Sequence, residues 1–360
     1  MTATTASTRA SRGAVARRRR ATVALAAVVA VAAGVYGVSR LGDPAGGGGP
    51  GPSDTGQRSA KPSELLLLQV VGSDDPLLAL IGSRAGQRRP AFFSVPFDLT
   101  LTVPGQGEVV AGQIAGLDAE TVRVAVSNTF GVWADHVAVL DMDGLARLVD
   151  RGNGLRVRVP GFYVTDAGNL GPGPARLTGE QVVALLEVED EGGGVRWASV
   201  VQGLLQQRLR LDGDDVVESD GVDGVRRVLG GARGAAIATF PTTSVAGSVT
   251  VPLQPELDRA VARVFGARRP VPVIVQNGVG APGLGQDVAA LLVPLGFRVV
   301  ISQNADLFGY ERTRVVANGD AAVPDARKIR KALGVGRVGV SQVPSGIGDI
   351  TIIVGEDFTG

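Results

Sequence analysis

The chain has 360 residues, 44% of them hydrophobic and 20% charged, with 52 glycines and no cysteine. At roughly 100–200 residues per domain this is room for two domains, and the aliphatic content excludes wholesale disorder. The lack of cysteine excludes disulfides, thiolate metal sites and thiol nucleophiles, and a single histidine, His136, excludes a His-clustered metal centre.

Charge is spread unevenly. The formal net charge is +1, yet residues 1–40 hold seven arginines and no acid. The remainder carries 29 basic and 35 acidic residues, a net of −6. A mildly acidic body argues against nucleic acid as a partner.

Residues 1–20 read as a basic cytoplasmic tail. Arg17-Arg18-Arg19-Arg20 leads into residues 21–38, an uncharged apolar stretch. Eighteen residues lie at the short end of the roughly 17–25 that a spanning helix needs. The stretch is predicted to be a transmembrane signal anchor, with the N-terminus cytoplasmic and the C-terminal body extracytoplasmic. The expected location is therefore the cell membrane, crossed once. The alternative is a cleaved signal peptide, with Ala30-Val31-Ala32 as its cleavage site; the run exceeds the usual 7–15 residue apolar core of such peptides. Residues 39–63, with Gly46-Gly47-Gly48-Gly49-Pro50-Gly51-Pro52, form a Gly/Pro linker.

From residue 64 the patterning is mixed α/β. Leu65–Val71 is a continuous apolar run of strand length, as a strand buried on both faces requires. Strands are also predicted at Ala91–Val95, 122–126 and 137–140, and a short helix at 145–149. Thr178-Gly179-Glu180-Gln181 has the form of a capped helix start, 197–211 has helical periodicity, and 255–265 is a further helix. A boundary is placed at Ala267-Arg268-Arg269-Pro270.

Residues 64–266 resemble the extracytoplasmic domain of the LytR–CpsA–Psr family, whose members move wall polymers from polyprenyl pyrophosphate onto peptidoglycan. The resemblance rests on Asp135-His136 followed by Asp141-Met142-Asp143-Gly144, and on Leu177-Thr178-Gly179-Glu180-Gln181. It also rests on Ser94-Val95-Pro96-Phe97-Asp98 with Pro104-Gly105-Gln106-Gly107. The resemblance implies a three-layer α/β domain, acids that hold magnesium and arginines that grip a pyrophosphate through bidentate contacts. Asp75 and Asp98 match the acidic positions, and Arg196 matches one arginine. Phe97, Glu187 and Ser199 stand where the resemblance implies arginines. The domain is therefore read as a catalytically degenerate relative with no resident cofactor. Magnesium on Asp75 and Asp98 is required only if the alternative, an active glycopolymer phosphotransferase, holds. Arg84, Arg88 and Arg89 are read as a solvated turn.

Three features are read as structural. His136 has no Gly-x-Ser-x-Gly elbow to serve and sits at a strand start. The acidic runs at 187–191 and 212–215 lack the alternating oxygen ligands of a calcium loop and are expected to be solvated.

Residues 270–358 resemble the LytR C-terminal domain found after many actinobacterial members of that family. The resemblance is carried by Val275-Gln276-Asn277-Gly278-Val279-Gly280-Ala281-Pro282-Gly283-Leu284 and by the ending Asp349-Ile350-Thr351-Ile352-Ile353-Val354. The implied order is β-α-β-β-α-β-β, with strands at 271–276 and 297–302, helices at 284–295 and 324–333, and the last strand at Ile350–Val354. Gly278, Gly280 and Gly283 also spell a dinucleotide-binding fingerprint between strand and helix. An exported domain of about 90 residues, with Pro282 removing an N–H donor from the loop, argues against a nucleotide. The expected partners are a polyprenyl-linked wall precursor or peptidoglycan, and the membrane through residues 21–38.

Overall fold

A computed structural model describes residues 64–73, 77–83, 89–190, 192–207, 211–245, 249–343 and 345–360. The predicted tail, anchor and linker, together with Asp75, Arg84 and Arg88, lie outside the described residues. Among the described residues no helix is long and apolar enough to cross a membrane.

The N-terminal part is built on a six-stranded sheet. Its strands are β1 (Leu65–Val71), β2 (Leu77–Gly82), β3 (Ala91–Val95), β4 (His136–Asp141), β5 (Glu218–Ser219) and β6 (Ala236–Ala238), in the order β5-β4-β1-β2-β3-β6. β1 is central, antiparallel to β2 and parallel to β4. Its apolar run follows from burial on both faces. Leu66, Leu68 and Val70 enter one core, and Leu65 and Leu67 the other.

Helices cover both faces, giving three layers. They are α1 (Ala119–Phe130), α2 (Met142–Arg151), α3 (Gly179–Leu186), α4 (Gly193–Gln206), α5 (Val222–Gly231) and α6 (Gln254–Phe265). α2 to α5 contribute to the first core, and α1 and α6 to the second, where Phe93 meets the rings of Phe130, Phe240 and Phe265.

Two helix starts explain their sequences. Thr178 caps α3 through a reciprocal pair with Gln181: Gln181 N–H donates to the Thr178 hydroxyl, and Thr178 N–H to the Gln181 side chain. Gly179 must be glycine, because a Cβ there would come within 2.4 Å of the Ala146 carbonyl oxygen on α2.

Residues 122–126 correct the strand expected there: they lie in α1. Asp118 caps this helix, accepting from Thr121 N–H at 2.9 Å, and Gly131 ends it in the left-handed region at φ 67°. The misleading signal was the alternation of Val122, Val124 and Val126. It arises because α1 is buried on two sides: Val122 and Val126 join the second core, while Val124 joins the core of the C-terminal part.

The C-terminal part has its own five-stranded sheet and shares no strand with the first. Its elements are β7 (Val271–Asn277), α7 (Leu284–Leu292), β8 (Phe297–Asn304), β9 (Arg314–Asn318), α8 (Val323–Leu333), β10 (Arg337–Ser341) and β11 (Ile350–Val354). The strand order is β8-β7-β11-β9-β10. α7 stops at Leu292 rather than 295, because Val293-Pro294-Leu295 tightens into a 3₁₀ turn before Gly296.

The two parts meet across edge strand β8. The Asn128 side chain acts as a surrogate strand partner, accepting from Val299 N–H and donating to Val299 C=O, both at 2.8 Å. Arg298 donates to the Asn128 carbonyl at 3.0 Å and to Asp258 on α6 at 2.7 Å.

Glu108, on the hairpin of Thr100–Val103 and Gly107–Val110, has its carboxyl pushed up by burial, partly offset by the Thr102 hydroxyl donating at 2.9 Å. A carboxyl raised on folding binds its proton more tightly in the folded chain, so stability falls as pH rises through the folded value. Glu108→Gln should therefore stabilise the protein at pH 7 in urea unfolding, and the gain should vanish below the ordinary value of 4.5. A gain that stays constant with pH would refute this assignment.

Candidate functional site

The carboxyl ends of β1, β3 and β4 lie at one end of the first sheet. β1 and β4 run parallel, and the antiparallel register sets Val95, at the end of β3, beside Leu78. Asp98 follows β3, and the segment holding Asp75 follows β1. α4 reaches the same end, because the Trp197 indole N–H donates to the Leu78 carbonyl at 2.8 Å. The chain thus brings Phe97, Asp98 and the start of α4 to one place, where ligands of open α/β sheets characteristically bind.

Asp98 is half-buried, and its carbonyl accepts from Thr250 N–H at 2.9 Å. The hydroxyls of Thr100 and Thr250 beside it are buried without a hydrogen-bond partner. Among the described residues no three acidic or histidine side chains gather as a metal cluster. Magnesium takes a near-octahedral set of oxygen ligands, and of the two candidate acids only Asp98 lies among the described residues.

The Arg196 guanidinium is bonded to the loop just before its own helix. Its side chain is 1% exposed and its guanidinium donates to Asp190 and to the Val188 carbonyl. It also lies 5.3 Å from the Tyr163 ring centre, and its Nε is buried without a partner. The Arg196 contact holds the Asp190 carboxyl below its ordinary value. The acidic run at 187–191 is thus tied back through Asp190, while Glu187 at the end of α3 is exposed. Phe97 and Ser199 are half-buried.

Between the first sheet and α2, α4 and α5 lies an apolar cavity of about 20 Å³, walled by Leu68, Val70, Leu140, Leu204, Leu211 and Leu229 among other aliphatic groups. This is space for about one water molecule.

The remaining residues singled out in the sequence are placed as follows. Arg89 is exposed. The His136 ring packs against Gly224 of α5, where a Cβ would approach to 2.4 Å. Asp215 departs from expectation: its side chain is fully buried, it pairs with both Arg151 terminal nitrogens, and it accepts from Asp212 N–H at 2.8 Å. The acidic tetrad is a capped 3₁₀ turn fixed to α2, because burying one carboxylate becomes tolerable when a guanidinium fork meets it.

In the C-terminal part, the glycine fingerprint serves a turn. A Cβ on Gly278 would lie 2.6 Å from the Val354 carbonyl oxygen, and Gly280 and Gly283 have φ near +89° and +87°. The Val279 and Gly280 N–H groups, which a pyrophosphate would need, donate to the Asn277 side chain at 3.1 and 2.7 Å.

Sequence reasoning missed the Asn128, Arg298 and Asp258 junction. The available signal was a charge, Arg298, inside the otherwise apolar strand Phe297-Arg298-Val299-Val300-Ile301.

No curated protein sequence matches the chain. Among solved structures, TagV of B. subtilis is 13% identical, covering 57% of this chain and 98% of that one, with a TM-score of 0.48. B. subtilis TagU is 16% identical over 57% of this chain and 96% of its own, with a TM-score of 0.46. The LytR-CPS2A-psr family protein YwtF (TagT), solved with bound octaprenyl pyrophosphate lipid, is 15% identical over 59% and 95%, with a TM-score of 0.46. Residues 270–358 match the family model described as the LytR cell envelope-related transcriptional attenuator. With its β-α-β-β-α-β-β order and glycine-built turn, the segment 270–358 is the part of this chain that matches that family model.

Proposed function

We propose that this chain is a membrane-held cell-envelope protein that acts in wall assembly by binding a polyprenyl-linked precursor, without catalysing phosphotransfer. The observation that carries the reading is the state of Arg196. The one arginine matching the family pattern is buried and bonded to Asp190 and Val188, so it offers no fork to a pyrophosphate. Phe97 and Glu187 add an apolar ring and a negative charge where cations are needed. The membrane location is supported by the arginine run and the uncharged residues 21–38. The cell-envelope setting is supported by the C-terminal domain.

The test is turnover of a polyprenyl pyrophosphate with magnesium by the purified full chain in detergent. No pyrophosphate cleavage or polymer transfer is expected, while a polyprenyl monophosphate should bind through its tail. Each charge-assisted contact is worth about 1.5–3 kcal/mol, so Phe97→Arg with Glu187→Arg should raise pyrophosphate affinity about tenfold to a hundredfold per contact restored. Magnesium-dependent turnover that Asp98→Ala abolishes would overturn the reading in favour of an active phosphotransferase.

A further inference from the structure

We propose that the cleft between the two domains, where the chain enters the folded body, docks on anionic phospholipid headgroups. The cleft encloses about 440 Å³, and Leu65, Trp133, Arg268, Arg269, Leu295 and Lys328 share its wall. Three cations, a tryptophan and the exposed Leu295 form the amphipathic set that settles at a bilayer interface, with stems on apolar surface and charges among phosphates.

The cleft is available for this role. Arg268 is exposed and has no ion-pair partner among the described residues. Arg269 is 69% exposed and only 3.7 Å from Asp258, whose nearer partner is Arg298 at 2.7 Å. The Lys328 ammonium donates to the Leu295 carbonyl at 2.7 Å, which joins α8 to the 3₁₀ turn and keeps the cation at the rim. Leu295 and Leu291, one turn earlier, are 39% and 40% exposed. Two acids also line the cleft. Asp135 accepts from Leu65 N–H at 2.8 Å, and Asp325 lies one turn before Lys328. Arg327, Arg330 and Lys331 extend the positive surface along the exposed side of α8, so cations outnumber acids there.

Position selects lipid over a distant wall polymer. Leu65 begins β1 and lines the cleft, and residues 39–63 separate it from the predicted anchor. The entry corner is therefore the part of the body nearest along the chain to the predicted anchor, which places it beside the bilayer if that anchor spans the membrane. The proposal is independent of whether the Asp98 end of the sheet turns over substrate.

The chain carries its own probe: of its two tryptophans, Trp133 lines the cleft and Trp197 is 1% exposed in the core. The full chain would be reconstituted in vesicles of phosphatidylglycerol or of phosphatidylcholine, each with a headgroup spin-labelled lipid. Trp133 emission should be quenched in phosphatidylglycerol and not in phosphatidylcholine. Each cation near an anionic surface is worth about a fivefold change in occupancy, so Arg268→Gln, Arg269→Gln and Lys328→Gln together should lower docking about a hundredfold. Molar salt, with a Debye length of about 3 Å, should release the wild type equally, which tests the proposal without any variant. Equal quenching in both lipids, or quenching that survives the triple substitution and salt, would overturn it. So would a Trp133 response to soluble poly(glycerol phosphate) without vesicle quenching, which would assign the cleft to a wall polymer.

Discussion

Replacing Arg298 with methionine should lower the free energy of unfolding by about 3–5 kcal/mol, the usual result of stripping one partner from a buried ion pair. The Arg298 and Asp258 side chains are 5% and 8% exposed, and the guanidinium also holds the Asn128 carbonyl. Methionine keeps the aliphatic stem but leaves the Asp258 carboxylate in a nearly dry junction, with Gln254 at 3.1 Å and Arg269 at 3.7 Å as its remaining partners. Adding Asp258→Leu should recover most of the loss, because the buried charge is then gone from both sides. Urea unfolding of the two variants measures this. A loss below about 1 kcal/mol for the single variant would mean the junction is wet and the two domains are only loosely joined. The same variant should split thermal unfolding into two transitions, because the Arg298 contacts to Asn128 and Asp258 join the two domains.

The second large effect is expected at Trp197. Its side chain fills the space between α4 and the sheet, and its indole N–H satisfies the Leu78 carbonyl. Trp197→Ala should cost about 3–5 kcal/mol from lost burial and the cavity left behind. Trp197→Phe retains most of the apolar area and should cost about 1–3 kcal/mol, chiefly for the unpaired carbonyl. The difference between the two, read from urea midpoints, separates packing from hydrogen bonding. If both variants cost the same, the hydrogen bond rather than the ring volume fixes α4. Because Arg196 precedes Trp197, loosening α4 should also expose the guanidinium, and pyrophosphate binding by the Phe variant would register that.

What the sequence determined by itself were features with short-range causes. Thr178 and Gln181 form their reciprocal cap from a four-residue motif, and the C-terminal element order is the one its family resemblance implied. β1 announced its burial on both faces through an unbroken apolar run. In the Gly278-x-Gly280-x-x-Gly283 loop, Pro282 lacks an N–H donor by its identity alone, and the Asn277 side chain takes the Val279 and Gly280 donors. Tertiary structure decided whatever depended on a partner far along the chain. Valines at 122, 124 and 126 read as a strand because nothing local reveals a second domain against the other side of α1. Asp215 read as solvated because Arg151, which makes its burial tolerable, lies 64 residues away. Arg196 matched a binding position only through the family resemblance, yet a side chain is committed by the groups that surround it. Only the fold brings the Val188 carbonyl, the Asp190 carboxylate and the Tyr163 ring around that guanidinium and turns it from a ligand-binding fork into a clasp on its own loop.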